Sequence, residues 1–244
     1  MNIPTFPECD RDLVKKLAHC SDRELVNKLQ KSPSDGRFFT AIFCRYSSVV
    51  YSLIRHSARS PVQADYLFAL TWRHILNELG GLELSLWNDP VAATSDRPSA
   101  DFSLQKWLIN LTAAHINQAI LPDVESIHYA LSAAPPPLWC YTERALESLS
   151  PSHRLMVLMA QTFHWSETRI AAYLQAEGSQ ISPQTVQAEL EVAYSALEQA
   201  IPADIKSIYL DRPAAIAPTP SPVPSAALTG LMTIEFDEMN LPVS

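Results

Sequence analysis

The residues with the clearest capacity for chemistry lie between positions 165 and 193, where two short helical patterns are separated by a polar break. Gln184 and Gln187 stand at the start of the second pattern, and glutamine can hydrogen-bond the major-groove edge of adenine. Helix-turn-helix proteins place the first residues of their second helix against base edges in this way. The alternative is a pair of solvated glutamines favoured by helix propensity. The candidate DNA-contacting residues are Ser182, Gln184, Thr185, Gln187 and Ala188.

The charge of the second helical pattern is acidic, although DNA readers are usually basic. It carries Glu189 and Glu191, whereas each phosphate contact requires a lysine or arginine. The whole chain has a net charge of −8, from 18 basic and 26 acidic residues. This acidity argues against a protein that binds DNA alone, but it is compatible with one that reaches DNA on a larger partner.

Basic residues concentrate in the first third of the chain. Residues 1–80 hold 11 Lys and Arg against 8 Asp and Glu, whereas residues 142–211 hold 4 against 9. Any anion-contacting face must therefore lie near the N-terminus, and a solvated helix exterior is the alternative interpretation. The residues of this basic set are Lys15, Lys16, Lys28, Lys31, Arg37, Arg45, Arg55 and Arg59.

Other functional classes find no support in the motifs. The seven histidines share no metal-ligand spacing, and no nucleophile elbow, phosphate loop or carboxylate pair stands out, so we expect no enzyme, metal or cofactor. Four cysteines without a Cys-x-x-Cys spacing predict reduced thiols in a cytoplasmic protein. The chain starts without signal-peptide features and has no apolar run long enough for a membrane span, so we expect no membrane partner.

Apolar residues recur at helical spacing almost throughout, which predicts an all-α fold. Capping residues mark the helix starts. The first helices are predicted to begin at Ser21 or Asp22, at Ser34 or Asp35, after Ser60-Pro61 and near residue 102. The third is predicted to stop at Gly80-Gly81, where left-handed backbone geometry is favourable.

Polar and proline-bearing segments divide the chain into two helical domains. Residues 81–101 are predicted to form a long loop, and Pro135-Pro136-Pro137 favours extended geometry in a linker. The tail contains too few apolar residues to fold, but its acidic-hydrophobic end, near Leu231 to Met239, predicts docking on a protein partner. The predicted divisions are an extension (1–20), a helical domain (21–121), the linker (122–141), a helix-turn-helix domain (142–211) and a disordered tail (212–244).

Two sets of residues share their spacing with a known family. The first is Phe38/Phe39, Tyr46, Val50-Tyr51, Ala64-Asp65-x-Leu67, Trp72 and Leu104-x-x-Trp107-Leu108-x-x-Leu111. The second is Leu149-Ser150-Pro151-Ser152-His153-Arg154, Ser166-x-x-x-Ile170-Ala171 and Thr185-Val186. In this order, separated by a linker, they resemble regions two and four of bacterial sigma factors of the extracytoplasmic-function type. The resemblance covers more than half of the chain.

The resemblance implies a division of labour between the two domains. Region two would bind the RNA polymerase core and help to open the promoter, and region four would read promoter DNA with its second helix. The candidate polymerase-binding residues that it implies are Asp65, Tyr66, Phe68 and Ala69. Trp87 lies in a loop that the family holds near the melted strand, so it is a candidate for stacking on a flipped base. Packing of this tryptophan back onto the core is the alternative.

Three surfaces depart from the family pattern toward lower charge or acid. The polymerase-facing stretch keeps one charge, at Asp65, and no lysine or arginine occurs between Lys106 and Arg144. On the second helix of region four, Glu189 and Val192 stand where the family has arginines. Two functions therefore stay open. The chain is a divergent sigma factor that directs promoter recognition, or it is a sigma-derived protein-interaction module that has lost DNA reading.

Overall fold

The computed structural model describes residues 3–87 and 102–210, in which every regular element is a helix and no strand occurs. The predicted all-α class is therefore confirmed for these residues. The helices are α1 (Asp12–Lys15), α2 (Asp22–Lys31), α3 (Gly36–Ser57), α4 (Pro61–Gly81), α5 (Leu104–Gln118), α6 (Pro136–Glu147), α7 (Pro151–Gln161), α8 (Glu167–Ala176), α9 (Pro183–Ala200) and α10 (Ala203–Ile205). Short 3-10 helices cover Pro7–Asp10, Leu84–Trp87 and Val124–Ser126, and a π-helix covers Lys206–Leu210.

Some predictions concern residues beyond this range. Most of the 81–101 loop and the whole tail, 212–244, lie outside the described residues. The predicted docking motif in the tail lies there as well. Among the described helices, none combines the length and apolar character that a membrane crossing would require.

Local capping signals start the first long helices where the sequence predicts. Ser21 Oγ accepts a hydrogen bond from the Glu24 backbone N–H at 3.3 Å, and the Glu24 carboxylate accepts one from the Ser21 N–H at 2.7 Å. This reciprocal pair is a capping box, which satisfies two otherwise unpaired donors at the start of α2. At the start of α4, Ser60 is the N-cap and Pro61 occupies the first turn, where its missing N–H has no cost.

Helix α4 ends at the predicted Gly80-Gly81 stop, but without the left-handed geometry expected there. The helix continues through Gly81, and neither Gly80 nor Gly81 adopts a positive φ. Carbonyls at this end of α4 are satisfied from outside the helix instead. The Gln30 side-chain amide donates to the carbonyls of Leu79 (2.9 Å) and Leu82 (2.7 Å). Because these bonds come from α2, the left-handed glycine cap is not needed.

Aromatic rings from α3 and α4 form the centre of the N-terminal core. Phe39, Phe43, Phe68 and Trp72 are all fully buried. The Trp72 ring meets Phe43 edge-on with centroids 5.0 Å apart, and it meets Phe39 at 5.8 Å. Aromatic pairs in this geometry contribute about 0.5–1.5 kcal/mol beyond the burial of their area. The two helices are therefore held face to face by ring contacts.

A disulfide bond joins the N-terminal extension to α3. The sulfur atoms of Cys9 and Cys44 are bonded, with their Cα atoms 5.5 Å apart. The prediction of reduced thiols is therefore wrong for this pair. Cys20 and Cys140 are free and buried. Residue spacing does not indicate the bond because 35 residues separate the partners, and only the tertiary fold brings them together.

The segment predicted as an extended linker ends in a helix. Helix α6 begins at Pro136, so the expectation of extended geometry through Pro137 is wrong. Proline is accepted in the first turn of a helix, and here Pro135 is the N-cap residue. Helix α6 packs against α3 and α4, where Trp139 is fully buried. Its Glu143 accepts a hydrogen bond from Arg73 of α4 at 2.6 Å.

The C-terminal end of the described chain returns to the start of α3. The Asp204 carboxylate accepts a hydrogen bond from the Arg37 backbone N–H at 2.7 Å, and so caps α3 from a distance of 167 residues in sequence. Beside it, Gly36 makes room for Ile205, because a Cβ at Gly36 would collide with that side chain. Helices α6, α9 and α10 thus connect the two predicted helical domains through one continuous core, while the predicted domain boundaries stay a prediction.

Candidate nucleic-acid interface

Helices α7, α8 and α9 pack together as one unit. Helix α8 ends at Ala176, and Gly178 follows with φ +93°, a left-handed conformation that suits glycine. The amide N–H groups of Gly178 and Ser179 donate back to the carbonyls of Gln175 and Leu174. This cap turns the chain sharply before α9 begins. The buried side chains that hold the unit together include Val157, Ile170, Leu174, Val186, Leu190 and Leu197.

The N-terminal end of α9 brings the five candidate DNA-contacting residues together. All five are exposed. Ser182 is the N-cap, its Oγ accepts from the Thr185 N–H at 3.1 Å, and the two hydroxyls are 2.8 Å apart. Gln187 and Ala188 follow Gln184 by three and four residues, so the three share one helix face. The predicted grouping is therefore present in the structure, whereas contact with DNA stays a prediction.

The charges on α9 oppose a direct grip on phosphates. The helix contains three glutamates and no lysine or arginine. Glu189 does not project freely, because its Oε2 lies 2.7 Å from Nε2 of His153 on α7. Glu191 accepts a hydrogen bond from Gln187 at 3.4 Å, which engages one of the two candidate base readers. Val192 is 56% exposed, so this helix also presents an apolar side chain to solvent.

The sequence did not reveal one feature of this unit, an aromatic cluster beside α8. The Trp165 ring lies near the rings of Phe163 (5.5 Å) and Tyr173 (5.8 Å). The Arg169 guanidinium lies over Trp165, 4.4 Å from the ring centroid. Stacking on an indole keeps an arginine in place through cation–π attraction. Residues 151–200 contain two residues of the lysine or arginine type, Arg154 and Arg169, and five glutamates. The unit therefore carries a net negative charge.

Ion pairs inside the protein already occupy several members of the basic set in the N-terminal third. Lys15 pairs with Asp10 at 3.2 Å, and Arg37 pairs with Asp35 at 3.1 Å. Arg45 pairs with the Asp22 carboxylate. These pairs favour the interpretation of the basic set as a solvated helix exterior.

The candidate polymerase-binding residues are mostly inaccessible. Tyr66, Phe68 and Ala69 are buried, at 7%, 0% and 0% exposure, so these side chains do not form a surface in this conformation, and polymerase binding through them stays a prediction. The Tyr66 ring packs near Tyr129, with centroids 6.5 Å apart. The physical reason is that residues 66–69 are consecutive and point to every side of α4. Because this stretch of the helix is covered on all sides, these side chains are held inside the fold.

Asp65 is partly buried and accepts a hydrogen bond from the Tyr51 hydroxyl at 2.8 Å. Burial raises the pKa of this carboxyl, against the lowering effects of the Tyr51 hydrogen bond and of Arg55. Trp87 is the last residue of the 3-10 helix Leu84–Trp87, and its side chain lies outside the described residues.

Comparison with known proteins finds no matching protein family, no similar curated protein and no similar solved structure.

Proposed function

We propose that this chain is a divergent sigma factor, which associates with the RNA polymerase core and directs promoter recognition. The observation that supports the proposal best is the exposed group of small and polar side chains at the N-terminal end of α9. There, Ser182, Gln184, Thr185, Gln187 and Ala188 share one end of a helix whose opposite side is packed on α7 and α8. Side chains in this position of a helix-turn-helix reach base edges in the major groove.

On this proposal the protein depends on its partner for affinity toward DNA. Neutralisation of phosphates supplies most of the affinity of DNA-binding proteins, and α9 provides no cation for it. The polymerase core would supply the electrostatic contacts, and α9 would supply discrimination between promoter sequences. The chain alone should therefore bind promoter duplex weakly, with little dependence on salt concentration.

A second function is favoured by a specific observation, the hydrogen bond between Glu189 and His153 at 2.7 Å. An acidic residue that is held in place at a family arginine position opposes phosphate binding. In this second proposal, the chain is a sigma-derived interaction module that binds protein and has lost DNA reading.

Co-purification with the RNA polymerase core, followed by run-off transcription, separates the two proposals. A divergent sigma factor binds the core and supports specific initiation. An interaction module of the adapter kind binds the core and supports no initiation. Failure of the intact chain to bind the core would refute the sigma-factor proposal and the adapter form of the second proposal.

A charge reversal on α9 tests groove docking directly. Glu189→Arg should strengthen promoter binding by the polymerase complex and make it more dependent on salt. The slope of the logarithm of the binding constant against the logarithm of the salt concentration should steepen by about one unit, as expected for one added phosphate contact. Glu198→Arg is the matched control, because it changes the net charge equally from the other end of α9, where the side chain is exposed. Equal effects of the two substitutions, or no effect of either, would show that α9 does not enter a groove.

A further inference from the structure

The first described residues lie across the aromatic core of α3 and α4. We call residues 3–20 the N-terminal strap. The Phe6 ring of the strap meets Phe43 edge-on at 4.7 Å between centroids, and it stacks on Phe68 at 6.0 Å. Phe43 and Phe68 are both fully buried. Phe6 therefore covers one side of the ring cluster that joins the two helices.

Polar contacts contribute little to the attachment of residues 3–10, the first part of the strap, to α3 and α4. Glu8 is only 5% exposed, and its Oε1 is buried without a hydrogen-bond partner. A buried polar atom without a partner loses its hydration and gains nothing in return. The ion pair from Lys15 to Asp10 lies within the strap and does not attach it to the rest of the protein. Farther along, Arg45 of α3 donates to the carbonyl of Cys20 at 2.9 Å, which anchors the end of the strap.

The Cys9–Cys44 disulfide is the covalent attachment of the poorly held part. Cys9 lies on the 3-10 helix Pro7–Asp10, next to the buried Glu8, and Cys44 lies within α3. Both cysteines are partly exposed, whereas the free thiols of Cys20 and Cys140 are buried. Exposed disulfides are the labile and regulatory ones, because a thiolate can reach their sulfur atoms.

We propose that the Cys9–Cys44 disulfide is a site of exchange with dithiol reductants, and that its reduction releases residues 3–10 and uncovers Phe43 and Phe68. A thiolate of the dithiol attacks one sulfur of the bond and forms a mixed disulfide, which the second thiol of the reductant resolves. The S–S bond of the protein is broken, and its two sulfurs receive two electrons and two protons. The dithiol becomes a disulfide. This inference does not depend on the proposed function.

Hydrogen exchange on the intact chain tests the proposal, with dithiothreitol as the dithiol. Alkylation after denaturation should count two free thiols before reduction and four afterwards. After reduction, exchange in residues 3–10 should rise on the order of 100-fold, because the cross-link no longer restricts local opening. Peptides that contain Phe43 and Phe68 should show a smaller rise, and α7–α9 should not change. Cys9→Ser should reproduce the reduced pattern without dithiothreitol and should not respond to it.

Two outcomes would overturn the proposal. One is a count of four free thiols in protein purified without reductant and exposed to air, which would mean that the bond does not form. The other is unchanged exchange in residues 3–10 after alkylation has shown complete reduction.

Phe6→Ala, which leaves both cysteines in place, provides a second measurement. In the oxidised protein it should raise exchange in residues 3–10 by less than reduction does, because the disulfide still restricts opening. A rise as large as that on reduction would also count against the proposal, since the ring and not the bond would then hold the strap.

Discussion

Glu8 gives the protein a pH dependence of stability whose sign and size follow from its burial. Desolvation raises the pKa of this carboxyl from 4.5 to about 7, and a backbone hydrogen bond opposes the rise only in part. Well below pH 4.5 the carboxyl is neutral in the folded and the unfolded chain, so burial carries no charge penalty. Between pH 4.5 and about 7 the unfolded chain loses the proton while the folded chain keeps it, and stability falls. Above that range the loss is constant.

The size of the effect follows from the two pKa values. A pKa difference of one unit between the folded and the unfolded chain corresponds to about 1.4 kcal/mol. The rise of the Glu8 pKa from 4.5 to about 7 therefore costs the folded state about 3 kcal/mol at pH 8. Glu8→Gln keeps the shape of the side chain and removes its titration. We therefore expect the variant to be more stable than the native chain at pH 8 by about 3 kcal/mol more than at pH 4.5.

Urea unfolding of the two oxidised proteins at several values between pH 4.5 and pH 8 measures this difference. Other titrating groups, including Asp65, are shared by both proteins and cancel in the comparison. Asp10→Asn is the matched control, because the Asp10 side chain is 83% exposed and lies close to Glu8 in the chain. A stability difference between the Gln variant and the native chain that is the same at both ends of the pH range would show that Glu8 does not titrate with a raised pKa.

Three further predictions concern packing, capping and the contact between α4 and α6. Gly36→Ala should destabilise the protein by about 1–3 kcal/mol in urea unfolding, because the new Cβ would collide with α10, whereas Gly80→Ala has open space and should not destabilise it. Ser182→Ala should lower stability by about 1 kcal/mol through the lost N-cap of α9, and a change below about 0.3 kcal/mol would contradict this. Arg73 and Glu143 should show a coupling energy of about 0.5–3 kcal/mol in a double-mutant cycle, and strictly additive single substitutions would argue against their ion pair.

Helix starts were predictable because their signals are local. Ser21 and Ser60 each precede a run of apolar residues at helical spacing, and each caps the helix that the sequence predicts. A cap needs only the residues of one turn, so no knowledge of the rest of the fold is required. The grouping of Gln184 and Gln187 at the N-terminal end of α9 was predictable for the same reason.

The accessibility of the candidate polymerase-binding residues was less predictable. A resemblance to a family identifies which positions correspond, but it does not show whether their side chains lie at the surface. The residues from Tyr66 to Ala69 are four consecutive, mainly apolar residues in a helix, and such a run points in every direction around the helix axis. That signal indicates burial on all sides and was present in the sequence. The covering residues, such as Tyr129, could not be identified without the fold.

The sequence by itself determined the helical class, the helix starts and the acidic character of α9, since these depend on composition and on neighbours within one turn. Only the tertiary structure decided which distant residues meet. It joined Cys9 to Cys44, placed Asp204 at the start of α3 and paired Glu189 with His153. These contacts form between residues that are far apart in the chain, so their geometry is set by the packing of whole helices and not by any local pattern.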